Sequence, residues 1–144
     1  MPNRPIRKLI ANQQIHTVEK SISVRTAAHI MATARIGSVM VVDKDVLVGI
    51  FTERDALFRV LAGGLDPDRT KVGEVMTADP QTIAPDRPLI NALHLMHDGG
   101  FRHMPVVENG RPVGMVSIRD AMAIDLLRLE TDQHRKEAIA EILA

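Results

Sequence analysis

Two short stretches set a hydroxyl and a carboxylate three residues apart at the start of a helix pattern: Thr52-Glu53-Arg54-Asp55 and Ser117-Ile118-Arg119-Asp120. A carboxylate in that place can accept two hydrogen bonds from a sugar diol, and charge-assisted bonds are the strong ones. The hydroxyl, one turn earlier, can bond the sugar or a phosphate. The free N–H groups and partial positive charge of a helix N-terminus also suit phosphate. The same S/T-x-x-D spacing is a capping box with Asp in place of Glu or Gln, worth about 1 kcal/mol to a helix. Finding it twice does not decide between cap and ligand site, because a duplication copies both.

The two stretches lie in a tandem repeat. Gly49-Ile50-Phe51-Thr52-Glu53-Arg54-Asp55-Ala56 returns 65 residues later as Gly114-Met115-Val116-Ser117-Ile118-Arg119-Asp120-Ala121. Upstream, Val41-Val42 matches Val106-Val107, His29 and Met31 match His94 and Met96, and Thr17 matches Thr82. From Thr17 to Ala56, 11 of 40 positions are identical at this offset, so one half can be read against the other.

Each copy predicts helix, strand, turn, strand, helix. Ala27, Ile30, Met31 and Ala34 follow i, i+3, i+4, i+7, which makes 26–35 a helix with one apolar face. The all-apolar run 39–42 reads as a strand covered on both sides. A turn at 43–45 leads to the return strand 46–51, and Asn109-Gly110 is the matching hairpin signal. The second helix of the first copy runs to about Ala62 and stops at Gly63-Gly64. These signs divide the chain into a first repeat at 6–64, a connector at 65–70 and a second repeat at 71–130. A tail at 131–144 follows, whose Ala138, Ile139, Ile142 and Leu143 share one side of a predicted helix. That tail has no counterpart in the first repeat and is expected to lie against a subunit surface.

Other chemistries fit poorly. With 144 residues, no cysteine and a formal net charge of zero, the chain offers no thiolate chemistry and no global field for nucleic acid or anionic membrane. Three Phe without Trp or Tyr leave little for stacking bases. Residues 1–20 carry no apolar run, no stretch approaches the ~20 apolar residues of a membrane span, and a cytoplasmic location is the default expectation. His94 and His97 stand at i, i+3 and could share a metal, but no Cys or carboxylate pair joins them, so helix-surface histidines at a subunit contact are the better reading. Ser117 with His103 lacks a nucleophile elbow, and there is no phosphate-binding G-x-x-x-x-G-K-[ST] loop and no G-x-G-x-x-G. Arg4, Arg7 and Lys8 read as a solvated face. No enzyme activity, cofactor or metal is expected.

A helix, a hairpin leaving through G-h-h-[ST]-x-x-D, and a tandem copy together resemble the CBS-domain pair, or Bateman module. Glu74-Val75-Met76-Thr77 and Arg102-His103-Met104-Pro105-Val106-Val107 add to the likeness, which spans nearly the whole chain. The resemblance implies an α/β fold of two β-α-β-β-α units related by a pseudo-twofold, with small central sheets and helices outside. It also implies a regulatory, ligand-sensing role, with an adenosyl nucleotide (AMP, ADP, ATP or an NAD-type dinucleotide) in clefts between the repeats. Asp55 and Asp120 would then hold ribose, helped by Thr52 and Ser117. Each cleft would take its Asp from one repeat and its lead-in from the other. The Asp55 cleft would be completed by Thr77 and the backbone near His103 and Met104. The Asp120 cleft would be completed by Asn12 to His16, by Gly37-Ser38 and by Arg102 as a phosphate grip. Arg54 could reach phosphates, whereas Arg119 reads as a solvated helix-surface residue. A homodimer joined through the helices at 26–35 and 91–98, and an effector protein that reads the ligand, complete the expectation. The alternative is a structural homodimerisation module whose clefts stay empty.

Overall fold

Val24, Ala27 and Met31 form one buried stripe, and the chain folds there into helix α2 (Val24–Ala34). Ser23 caps it by accepting a hydrogen bond from the Thr26 N–H, and Arg35, left-handed at φ 56°, ends it. The computed structural model describes residues 4–120 and Ala140. The tail at 131–144, apart from Ala140, and the helix expected beyond Asp120 lie outside the described residues.

Around α2 runs a four-stranded sheet in the order β1 (Thr17–Glu19), β2 (Ser38–Asp43), β3 (Val46–Thr52), β4 (Thr77–Ala78). β1 and β2 are parallel, and the other pairs are antiparallel. In β2, Ser38 to Val42 are all buried, as the apolar run predicted. The second repeat supplies α5 (Leu89–Gly99) and the hairpin β5 (His103–Glu108) with β6 (Arg111–Ser117). A lone parallel bridge from Ile83 to Val106 stands where β1 stands in the first repeat. Both hairpins turn through two left-handed residues, Lys44 and Asp45 (φ 51° and 67°) and Asn109 and Gly110 (φ 55° and 78°). That is the turn whose twist matches the strands.

The repeats exchange their lead-ins. Ile6 and Ile10 of α1 (Ile6–Ile10) sit in one core with Ile83, Leu89, Met96 and Val116 of the second repeat. Val72 and Val75 of α4 (Val72–Val75) sit in the other, among Val18, Val41 and Phe51 of the first. Arg7, read from the sequence as solvated, is half exposed and bonds Asp86 at 2.9 Å and Glu108 at 3.2 Å. The motif glycines make room for this exchange. A Cβ on Gly49 would lie 2.4 Å from the Met76 sulfur and 3.0 Å from the Thr77 carbonyl oxygen. A Cβ on Gly114 would lie 2.8 Å from the Ile10 Cβ. The matched glycines thus each admit the lead-in of the other repeat.

The two seams close differently. β4 pairs with β3 through its backbone, Gly49 opposite Ala78 and Ile50 opposite Thr77. On the other side the Gln13 side chain does this work. Its amide donates to the Met115 carbonyl at 2.9 Å and accepts from the Met115 N–H at 2.8 Å. Among the described residues, no helix is long and apolar enough to cross a membrane.

Candidate functional site

Strand β3 ends at Thr52, and the chain turns into a short helix, α3 (Glu53–Asp55), which continues as a wide π-helical turn, Ala56–Leu61. The sequence predicted an ordinary helix here. Instead the Ala62 N–H reaches back to the Leu57 carbonyl at 2.9 Å, and the Leu65 N–H to that of Val60 at 3.0 Å. Such turns recur at functional sites.

Thr52 and Asp55 form a full capping box. Asp55 N–H donates to Thr52 Oγ1 at 3.2 Å, and Thr52 N–H donates to Asp55 Oδ2 at 3.0 Å. Asp55 is nevertheless more than a cap. It is only 6% exposed, and the Thr77 hydroxyl, from the other repeat, donates to its Oδ1 at 3.3 Å. Buried carboxylates need such partners.

A cavity of about 230 Å³ opens beside this pair, lined by Thr52, Arg54, Asp55, Thr77, Arg102 and His103, with Glu53, Ile50, Pro80, Gln81 and Phe101. Six of the ten residues predicted to bind ligand therefore meet in one place. Resemblance assigned Arg102 to the Asp120 cleft, and here it lines the Asp55 cavity. Its carbonyl accepts from Ile118 N–H at 2.9 Å, just as Gly37 accepts from Glu53 at 3.0 Å. A Cβ on Gly37 would be 3.4 Å from His103 Nε2, so these two matched corners adjoin. Arg102 is thereby also part of the Asp55 cavity lining.

Ser38, His16, Ser117 and Asp120 do not line this cavity. Ser38 is buried and lies opposite Thr52 in the sheet. The His16 carbonyl accepts from Met40 N–H at 3.1 Å. Ser117 Oγ accepts from the Asp120 N–H at 3.1 Å, a cap bond, and the Asp120 carboxylate is exposed. The two motif aspartates thus share a sequence pattern and differ in burial.

Burial pushes the His103 imidazole below its ordinary pKa. Glu53 opposes that shift, the charge of Arg102 adds to it, Asp120 opposes it and Arg54 adds to it. The imidazole is therefore neutral near pH 7, and Arg54 and Arg102 supply the positive charge of the lining.

Arg59 escaped the sequence reading. Its Nε lies 3.5 Å from Asp55 Oδ1, and its Nη1 donates to the Met76 carbonyl at 3.0 Å. An acid and a base at i, i+4 on a predicted helix was the available signal.

A profile of the CBS domain matches residues 6–62 and 72–126, one match per repeat. The chain belongs to the CBS-domain family. Among curated relatives of this CBS pair, the CBS domain-containing protein CBSCBSPB2 of Arabidopsis thaliana is 35% identical over 138 residues, 95% of this chain. The chain spans only 26% of that relative's length. An uncharacterised 17.7 kDa protein of Acidianus ambivalens is 37% identical over 131 residues, covering 90% of this chain and 77% of its own. Among solved structures, a protein with CBS domains from Burkholderia ambifaria MC40-6 superposes with a TM-score of 0.76 at 32% identity, covering 81% of this chain and 90% of that one. The CBS-domain pair of protein MJ0100, solved in complex with 5′-methylthioadenosine and S-adenosyl-L-methionine, gives 0.75 at 28% identity, covering 84% and 98%. This chain is thus a regulatory CBS-domain pair of α/β fold.

Proposed function

We propose that the pair is a non-catalytic sensor that binds an adenosyl ligand in the Asp55 cavity. The carrying observation is that Asp55 and Thr77, from opposite repeats, meet in one cavity with Arg54 and Arg102. A ribose diol would take the Asp55 carboxylate, and the arginines would face a phosphate or carboxylate further along. The adenosyl ligands of the MJ0100 pair support the class of ligand. Because the site is built from both repeats, occupancy would change how they sit against each other. An effector protein could read that change, and a coupling of about 1–3 kcal/mol would suffice.

A thermal-shift panel of AMP, ADP, ATP, NAD, 5′-methylthioadenosine and S-adenosyl-L-methionine tests the reading. A ligand present at 100 times its dissociation constant stabilises the native state by about 2.7 kcal/mol, a readily visible rise in melting temperature. If none of the six raises it at millimolar concentration, the empty, purely structural module is the better account.

Either account includes a homodimer. Leu57, Phe58 and Leu61 on the π-helical turn are 50%, 63% and 74% exposed, and Leu57 and Leu61 line one groove with exposed Ala28 and Ala32 of α2. An apolar face of this kind supports association with a second copy. Light scattering at micromolar concentration is expected to give twice the chain mass. Phe58→Asp with Leu61→Asp is expected to return the mass of one chain, and a wild type already monomeric there removes the dimer.

A further inference from the structure

Three donated hydrogen bonds and one close guanidinium already surround the Asp55 carboxylate. A carboxylate offers about four lone-pair positions. Oδ2 accepts from the Thr52 N–H at 3.0 Å and hydroxyl at 3.2 Å, Oδ1 accepts from the Thr77 hydroxyl at 3.3 Å, and Arg59 Nε stands 3.5 Å from Oδ1 as an ion-pair contact. A sugar diol entering from the cavity can replace the Thr77 hydroxyl, because Thr77 lines the cavity and its hydroxyl can turn away. Arg59 is different. It does not line the cavity, and it meets Oδ1 from outside that lining. Its Nη1 simultaneously donates to the carbonyls of Met76 at 3.0 Å and Val75 at 3.4 Å. Those carbonyls lead directly into β4, which carries Thr77. One guanidinium therefore fastens the carboxylate of one repeat to the lead-in of the other.

The second repeat carries no arginine at the matching position. At the 65-residue offset the position of Arg59 is held by Ile124.

We propose that Arg59 is the positioning residue that makes the Asp55 cleft, rather than its counterpart, the sugar-binding site of the pair. A carboxylate whose rotamer is already locked loses little freedom when it takes a diol, and precise support of this kind governs affinity. Arg59 touches no ligand. It sets where Oδ1 points and how far Thr77 stands from it. The inference rests on the adenosyl reading given above and goes beyond it by naming what distinguishes the two clefts.

Calorimetry with adenosine on the full chain tests it. Adenosine carries no phosphate, so a direct contact from Arg59 to phosphate cannot mimic the effect. Arg59→Ala is expected to weaken adenosine about tenfold or more, the loss of roughly one charge-assisted bond's worth of placement. Arg59→Lys is expected to fall between Ala and wild type, because an ammonium can meet the carboxylate or the carbonyls but lacks the planar fork that spans both. Arg69→Ala, at a 90% exposed arginine, is expected to match the wild type. Melting temperatures of all variants are read alongside. Arg59→Ala binding within twofold of wild type overturns the role of Arg59 and leaves the adenosyl reading standing. So does an equal loss in Ala and Lys that follows a fall in melting temperature, since that marks a stability effect. A wild type that binds no adenosine at millimolar concentration overturns the adenosyl reading itself, and the role of Arg59 with it. Should Arg59→Ala fail to fold, Arg59→Lys and Arg59→Gln carry the same comparison.

Discussion

Asp55→Ala is expected to remove adenosine binding from the Asp55 cavity. In a cleft shielded from water a ribose diol needs a strong acceptor, and losing a charged hydrogen-bond partner costs about 1.5–3 kcal/mol. That is a factor of roughly ten to more than a hundred in affinity. The same substitution removes a helix cap worth about 1 kcal/mol, small against the ~5–15 kcal/mol of a typical domain, so the protein should still fold. Asp55→Asn separates the two roles. The Asn amide oxygen could still accept from the Thr52 N–H, as Gln does in a capping box, but the side chain carries no charge. It should keep the melting temperature near that of the wild type while binding falls. Titrations of wild type, Ala and Asn variants with adenosine, read beside thermal melts, decide the matter. If Asn binds as the wild type does and only Ala melts early, Asp55 is a cap and nothing more.

Ile6→Ala is expected to be among the most damaging single changes to stability, although it lies six residues from the start of the sequence. Its side chain is fully buried in the core of the second repeat. Large-to-small changes at such sites cost about 2–5 kcal/mol. At about 2–4 °C per kcal/mol for a chain near this size, the melting temperature should drop by on the order of ten degrees. A variant that melts with the wild type would show that α1 is a loose arm and not a part of that core.

Much of this organisation was legible in the sequence because the two repeats check each other. The period of Ala27 and Met31 placed α2, the apolar run placed β2, and Asn109-Gly110 placed the second hairpin. Local patterns of that sort fix local structure. The π-helical turn was not legible, since hydrophobic spacing in Leu57, Phe58 and Leu61 suits an ordinary helix as well. Resemblance assembled most of the Asp55 cavity but did not place Arg102 on it. The matched corners at Gly37 and Arg102-His103 adjoin, so a residue of one corner can line the cleft of the other. Arg59 was missed because attention stopped at the motif, while its partners are backbone carbonyls 16 and 17 residues away. The unequal burial of Asp55 and Asp120 was invisible for a similar reason. Identical motifs meet different neighbours, Thr77 on one side and the Gln13 amide on the other.

The exchanged lead-ins also set a timetable for synthesis. The Ile6 N–H is held by the Arg87 carbonyl, so the first helix emerges from the ribosome with its partner about 80 residues behind it. The first hairpin can form early, yet the open edge of β3 stays bare until Thr77 and Ala78 arrive to cover it. Bare edges and waiting apolar helices are where nascent chains stick to one another. In this chain the covering strand is made soon after the edge it protects, while Ile6 and Ile10 stay exposed for longest. Pauses in translation between residues 11 and 116 would therefore lengthen that exposure.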